Sequence, residues 1–327
     1  LSGAKEHNWN QIYAEIEQLA SDNKSGAAEI LRRAAEIFSL FDPQAEKKSS
    51  DVESARSKII YICFRIATAQ PHMGSLMNLA NTVAESARAA MGADEVIEFA
   101  ARTARSFSET ALLAAEVATS RAADLIGSLS HSNPAILTHS YSSTVLAALR
   151  KAHHAGKKLN VITTESRPIL EGRAMAQALA GEGIDVALIA DAAADLNMET
   201  SGVQMVLVGA DIVKQWELTN KIGTRVIALA ASQRKIPVYA VCDTSKFVVH
   251  SFEEHEKRNA DELWPDAPQK IWIRNSYFEP TPLKYFAGII TEEGVLGLDE
   301  VNSRAAKMPV DREILDLRAS SLQTPCD

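Results

Sequence analysis

The strongest constraint on the fold is a change of sequence pattern near Gly127–Pro134. Before it the chain is alanine-rich and reads as helix after helix, over Trp9–Leu19, Ser25–Phe41, Asp51–Ile66, Ser75–Ala90 and Ala93–Ile126, the last with a break. Ala27, Ile30, Leu31, Ala34, Ala35 and Phe38 recur at helical spacing while Glu29, Arg32, Arg33 and Glu36 take the other face, so this helix has an apolar stripe to bury. After the change, short apolar runs appear at Ala135–Thr138, Leu159–Thr163, Val186–Ala190, Met205–Gly209, Val238–Cys242 and Gly288–Thr291. Helical stretches lie among them at Ser142–Ala155, Leu170–Gly181, Ala192–Glu199 and Lys221–Arg234. Continuously apolar strands separated by helices are what a parallel sheet covered on both faces requires. The pattern predicts an α/β protein with a helical domain over residues 1–127 and a doubly wound, Rossmann-like parallel sheet domain over residues 128–327.

A length of 327 residues fits two domains of ordinary size. The 34 basic residues against 42 acidic ones give a net charge of -8. That balance argues against holding nucleic acid or an anionic membrane by bulk charge, though it leaves room for a local basic pocket. Cys63, Cys242 and Cys326 form no CxxC or Cys/His pattern, which suits a reducing compartment. No stretch approaches the roughly 20 apolar residues of a membrane span. The expectation is a cytoplasmic protein with no direct nucleic-acid or membrane partner.

In a doubly wound sheet, ligands bind beyond the carboxyl ends of the strands. Those positions are polar here: His139, Ser140 and Tyr141; Thr164, Glu165, Ser166 and Arg167; Asp191; Asp211; and Asp243, Thr244, Ser245 and Lys246. Arg167 and Arg173 bracket one helix start, and Asn220, Lys221, Gly223 and Thr224 form another. Free N–H groups and the helix dipole favour anions at such places, so the pair points to a phosphorylated small ligand. The alternative for the arginines is solvation or pairing with Glu165 and Glu171. Asp211, after a buried apolar run, is either a general acid or base or an acceptor of backbone N–H bonds in its turn. Asp191 and Asp243 read as caps or hydroxyl acceptors.

The pair His153-His154 reads as a surface feature at a helix end, and His72, His131, His139, His250 and His255 have no HxxxH or cysteine partner; a metal site is not expected. Neither GxGxxG nor GxxxxGK[ST] occurs, and no cofactor is expected.

The runs ILTHSYSSTVLAAL, VITTESRPILEGRAMAQAL, VLVGAD, LTNKIGT and FEPTPLKYFAGIITEEGVL resemble the alpha, beta and delta regulatory subunits of translation initiation factor 2B. That superfamily also contains the methylthioribose-1-phosphate and ribose-1,5-bisphosphate isomerases. The resemblance covers Ala135–Val301, with a weaker match at TAQPHMGSLMNLAN, where Gln70 precedes Pro71 in place of the family's arginine. It implies a helical domain followed by a Rossmann-like domain, and a homodimer or higher homo-oligomer, with translation-factor subunits as candidate partners. In the isomerases a cysteine and an aspartate form the acid/base pair. The aspartate matches Asp211 and the substrate-site Asn-Lys matches Asn220 and Lys221, while the Thr-Glu-x-Arg-Pro arginine matches Arg167; the cysteine's position is Ser140, and no Arg-Gly-Ala segment occurs. Together with the strand-end and helix-start positions, the resemblance implies a phosphorylated sugar or nucleotide bound through Arg167, Arg173, Asn220, Lys221, His139 and Glu165 in an oligomeric sensor or assembly module. The other function it implies is an aldose–ketose sugar-phosphate isomerase using Asp211, helped by Ser140 or a water.

Overall fold

The computed structural model describes residues 2–23, 25–44, 47, 51–252 and 258–323. His255 and Cys326 lie outside the described residues. By contacts the chain forms two compact units, one of Leu1–Leu113, Ser245–Phe252 and Ala306–Asp327, the other of Ala114–Thr244 and Glu253–Ala305.

The first unit holds helices α1 (Ser2–Ser21), α2 (Ala27–Ile37), α3 (Val52–Ala69), α4 (Gly74–Ala89), the first part of α5 (Ala93–Gly127) and a final helix at Arg312–Gln323. Its core interleaves Ile59, Ile62, Ile66, Leu76 and Leu79 with Ala34, Ala55, Ala80, Ala84 and Ala87, small residues that let backbones approach closely. Asp51 caps α3 by accepting from Ser54 N at 2.8 Å, the side-chain satisfaction of an orphan N–H that a helix start needs. Gln70, at the weakly matching segment, donates from Nε2 to Leu19 O and Asp22 O, both at 2.8 Å, and so fastens the end of α1. The break expected in α5 does not occur: the helix runs unbroken for 35 residues, since no glycine or proline lies between Ala93 and Ile126. No helix among the described residues is long and apolar enough to cross a membrane.

The second unit is the expected parallel sheet. In chain order its elements are β1 (Ala135–Thr138), α6 (Ser143–His154), β2 (Asn160–Thr164), α7 (Glu171–Gly181), β3 (Asp185–Ile189), α8 (Ala194–Thr200) and β4 (Val203–Gly209). There follow β5 (Ile212–Val213), β6 (Glu217–Lys221), α9 (Thr224–Gln233), β7 (Val238–Val241), β8 (Phe278–Pro282), β9 (Gly288–Thr291), β10 (Gly294–Leu296) and α10 (Leu298–Ala305). The large sheet has the order β10-β9-β7-β4-β1-β2-β3, parallel except for β10. From β1 the chain builds outward through β2 and β3 and then returns to the other side with β4, so the order reverses between β1 and β4. That reversal opens a crevice beyond the strand ends.

A second, antiparallel sheet, β5-β6-β8, differs from the expectation. Asn220 and Lys221 lie on β6, paired with Glu279 and Phe278, and not in a helix start; α9 begins three residues later, after Gly223 at φ +105°. Thr219, Asn220 and Lys221 are buried despite their polarity, so hydrophobic patterning does not mark this strand.

Helix α7 starts hard against β2. A Cβ on Gly172 would lie 1.7 Å from Thr164 O, whereas one on Gly181 at the far end of α7 would meet nothing within 4 Å. Gly172→Ala is therefore expected to destabilise the protein by about 1–3 kcal/mol or more, and Gly181→Ala to be neutral or to stabilise by up to about 1 kcal/mol. Urea unfolding of the two variants checks both.

Candidate functional site

The crevice is built from the ends of β1, β2 and β4 and from the β6–α9 connection. Beyond Thr138, His139 is buried and both of its ring nitrogens are committed inside the protein. Its Nδ1 lies 2.6 Å from Thr164 Oγ1 and its Nε2 2.7 Å from Ile222 O. Because a carbonyl only accepts, Nε2 carries the proton and Nδ1 accepts from the threonine hydroxyl. Burial pushes the imidazole below its ordinary value of 6.5, opposed by the Ile222 bond and the Asp191 charge; the ring is neutral at pH 7. Gly223 is needed here because a Cβ at that residue would sit 2.9 Å from the His139 ring, with φ at +105° besides. The close approach at Gly223 is thus made by an imidazole.

Ser140 takes a left-handed φ of 67° and donates its N–H to Ser166 Oγ at 2.8 Å. Ser166, itself at φ 61°, donates its N–H to Asp191 Oδ1 at 2.7 Å, and Arg167 donates its N–H to Asp191 Oδ2 at 2.8 Å. Asp191 is therefore an acceptor of backbone bonds from the neighbouring turn, which holds that turn in a conformation non-glycine residues rarely adopt.

The two arginines do not face an open helix start. Arg173 pairs with Glu165 Oε2 at 2.9 Å, one of the pairings the sequence allows. Arg167 is exposed and reaches Glu262 O and Leu263 O at 3.4 and 3.3 Å. The N-terminus of α9 is likewise filled from within: Glu279 Oε1 accepts from Gly223 N at 2.7 Å and from Arg225 N at 2.9 Å. A carboxylate on β8 supplies the anion that the helix dipole favours.

Asp211, partly buried after β4, donates its N–H to Thr219 O at 3.0 Å. Asn220 faces it. With its amide NH2 turned to the two acceptors, Asn220 donates to Asp211 Oδ2 at 3.2 Å and Gly209 O at 3.3 Å, and accepts from Thr224 Oγ1 at 3.0 Å. Lys221 is only 2% exposed at its side chain and lies 2.5 Å from Glu171 Oε2, with its ammonium 4.5 Å from the Tyr277 ring centroid. Tyr277 donates its hydroxyl to Glu262 Oε1, while Asn275 donates to Glu262 Oε2 at 2.7 Å; burial, and then Glu262, push the phenol well above its ordinary value.

The structure links His139 and Ser140 to the Thr164–Ser166 turn and to Ile222, places Asn220 on Asp211, and turns Arg173 onto Glu165. Sequence reasoning missed Tyr277, Glu262 and the capping role of Glu279, and it offered Glu171 only as an alternative partner for the arginines, whereas it contacts Lys221. Of these only Glu279 left a trace, as the acidic residue of the FEPTP segment.

Comparison with known proteins adds the following. Residues 23–297 match the model of the initiation factor 2 subunit family. The chain is 32% identical over 286 residues to a putative translation initiation factor eIF-2B subunit 2-like protein of Pyrococcus furiosus, covering 86% of this chain and 94% of that one. It is also 32% identical over 293 residues to the ribose 1,5-bisphosphate isomerase of Archaeoglobus fulgidus, covering 88% and 90%. The crystal structure of translation initiation factor eIF-2B from Pyrococcus horikoshii matches with a TM-score of 0.69 at 28% identity, over 88% of this chain and 96% of that one.

The neutral, buried His139 makes a pH prediction. Its folded-state affinity for protons lies below that of the unfolded chain, so its contribution leaves stability at its full value above pH 6.5 and lowers it as pH falls below that point, by at most about 1.4 kcal/mol per pH unit. Urea unfolding at neutral and mildly acidic pH should show this loss, and His139→Gln should flatten it while lowering stability at neutral pH.

Proposed function

The chain belongs to the initiation factor 2 subunit family, and from that premise we propose that it is a subunit-like member that binds a phosphorylated sugar or nucleotide at its strand ends without isomerising it. In this reading it works as an oligomeric sensor or assembly module. One observation carries the choice. At Ser140 the hydroxyl makes no hydrogen bond to a base among the described residues, and the adjacent imidazole has both nitrogens engaged elsewhere. A thiol with an ordinary pKa near 8.5 exchanges protons at neutral pH; a serine hydroxyl is a far weaker acid and needs a neighbouring base. Asp211 alone then faces a two-sided proton transfer.

Exposed apolar side chains support the assembly part of the proposal. Leu188 on the edge strand β3, Leu196 on α8, and Val226 and Leu229 on α9 are exposed, and apolar surface left open in this way favours association.

The second reading is the isomerase, favoured by the Asp211–Asn220 contact at 3.2 Å and by the likeness to a ribose 1,5-bisphosphate isomerase. There Asp211 would move the proton, with Ser140 or a water as its partner, while Arg167, Arg173, Asn220 and Lys221 bind phosphate and hydroxyls.

Incubation with ribose 1,5-bisphosphate, methylthioribose 1-phosphate and related pentose phosphates, followed by NMR, separates the two. The proposal expects binding, weakened about tenfold or more by Arg167→Ala or Asp211→Asn, and no ketose; ketose formation that Asp211→Asn abolishes would establish the isomerase instead. A gain of turnover in Ser140→Cys would locate the missing chemistry at that residue. Light scattering should give a mass of at least twice the 35.5 kDa chain, and a monomer would remove the assembly role.

A further inference from the structure

We infer that Glu171 is an internal counter-anion that a ligand's phosphate must displace from Lys221, so that this carboxylate sets how selectively the strand-end site takes anions. The inference rests on the phosphorylated-ligand reading above.

The argument starts from Lys221. Its ammonium is buried and has no aligned hydrogen bond among the described residues; its neighbours are Glu171 Oε2 at 2.5 Å, an ion pair without hydrogen-bond alignment, and the face of Tyr277 at 4.5 Å. An ammonium carries three donors, and burying them unmatched is costly. Glu171 offsets the charge but leaves the donors poorly met. A phosphate brings three terminal oxygens and up to two charges, and so matches an ammonium better than one misaligned carboxylate oxygen does.

Glu171 is also less tied down than Asp191, Glu279 and Glu262. Asp191 accepts two backbone N–H bonds and Glu279 accepts two more, so moving either would break a pair of backbone bonds. Glu262 accepts from Tyr277 and Asn275. The Glu171 oxygen facing Lys221 accepts no hydrogen bond among the described residues, and its side chain is 30% exposed at the first residue of α7. It can swing into water, where its charge is well solvated, and leave Lys221 to an arriving anion. A neutral polyol cannot make that exchange, because it would leave the ammonium without a counter-charge.

The test compares wild type, Glu171→Gln, Glu171→Asp and the double variant Glu171→Gln/Lys221→Met, using inorganic phosphate as the probe in thermal unfolding and isothermal titration. Removing the carboxylate should lower Tm in phosphate-free buffer, and phosphate should raise Tm by more in Glu171→Gln than in wild type. Phosphate should bind about tenfold more tightly to Glu171→Gln than to wild type, with the double variant showing no response. Should Glu171→Gln fail to fold, Glu171→Asp, which shortens the reach to Lys221, is expected to change in the same direction. Equal or weaker phosphate binding in the folded Glu171 variants, or a phosphate response that survives Lys221→Met, would overturn the inference. A parallel titration with ribose 1,5-bisphosphate keeps the two readings apart. If that sugar phosphate binds wild type and the Glu171 variants alike, the counter-anion role is lost while the phosphorylated-ligand reading stands; if it binds none of them although inorganic phosphate behaves as expected, the reverse holds.

Discussion

Polar groups buried at the strand ends have to be satisfied from inside the chain, and the buried imidazole of His139 is where this begins. Its two bonds, to the Thr164 hydroxyl and the Ile222 carbonyl, tie the end of β1 to the end of β2 and to the connection leading into α9. Other local choices follow. Gly223 has to lack a side chain because the ring lies against it, and Gly172 because α7 starts against the carbonyl of the same Thr164. Ser140 and Ser166 stay in left-handed conformations because an Oγ and a carboxylate receive their amides. Each unfavourable backbone state is offset by a bond that would otherwise be missing.

The same rule governs charge. A free helix N-terminus is a ready anion site, yet at α9 Glu279 already occupies it. Arg173 has Glu165 and Lys221 has Glu171. With Lys221 held in this way, a phosphate that reached it would enter by exchange with a carboxylate and not by filling an open cationic pocket. The cost of that exchange differs from one carboxylate to the next, according to how many backbone donors each one serves.

A helical region followed by a mostly parallel sheet was legible because both rest on local signals. Alanine-rich 3.6-residue periodicity marks the helices, and four- or five-residue apolar runs such as Ala135–Thr138 mark strands buried on both faces. The antiparallel β5-β6-β8 sheet was not legible, since Thr219, Asn220 and Lys221 are buried by partners elsewhere in the chain and not by their own hydrophobicity. The candidate site divides in the same way. Strand-end position singles out His139, Arg167 and Asp211, but what each does depends on a residue that the fold brings from a distant segment: Ile222 for His139, the Glu262–Leu263 backbone for Arg167, Asn220 for Asp211. Glu171 shows the limit most clearly. In sequence it lies close to both arginines, and only the folded chain brings it to Lys221.

An isomerase and a sensor make opposite demands on such a crevice. Repeated turnover favours a pocket organised in advance, in which the anion-binding groups stand ready and a second proton-handling group faces the aspartate. Here the Ser140 hydroxyl has no hydrogen-bonded base among the described residues, the nearby His139 ring being engaged elsewhere, and Lys221 is paired with Glu171. Part of the ligand's binding energy would be used to move Glu171 from its place at the first turn of α7. For catalysis that is energy withdrawn from the transition state. For a sensor it is the useful part, because a ligand shifts a protein between states only through a difference in its interaction with them, and replacing an internal carboxylate by a phosphate is such a difference.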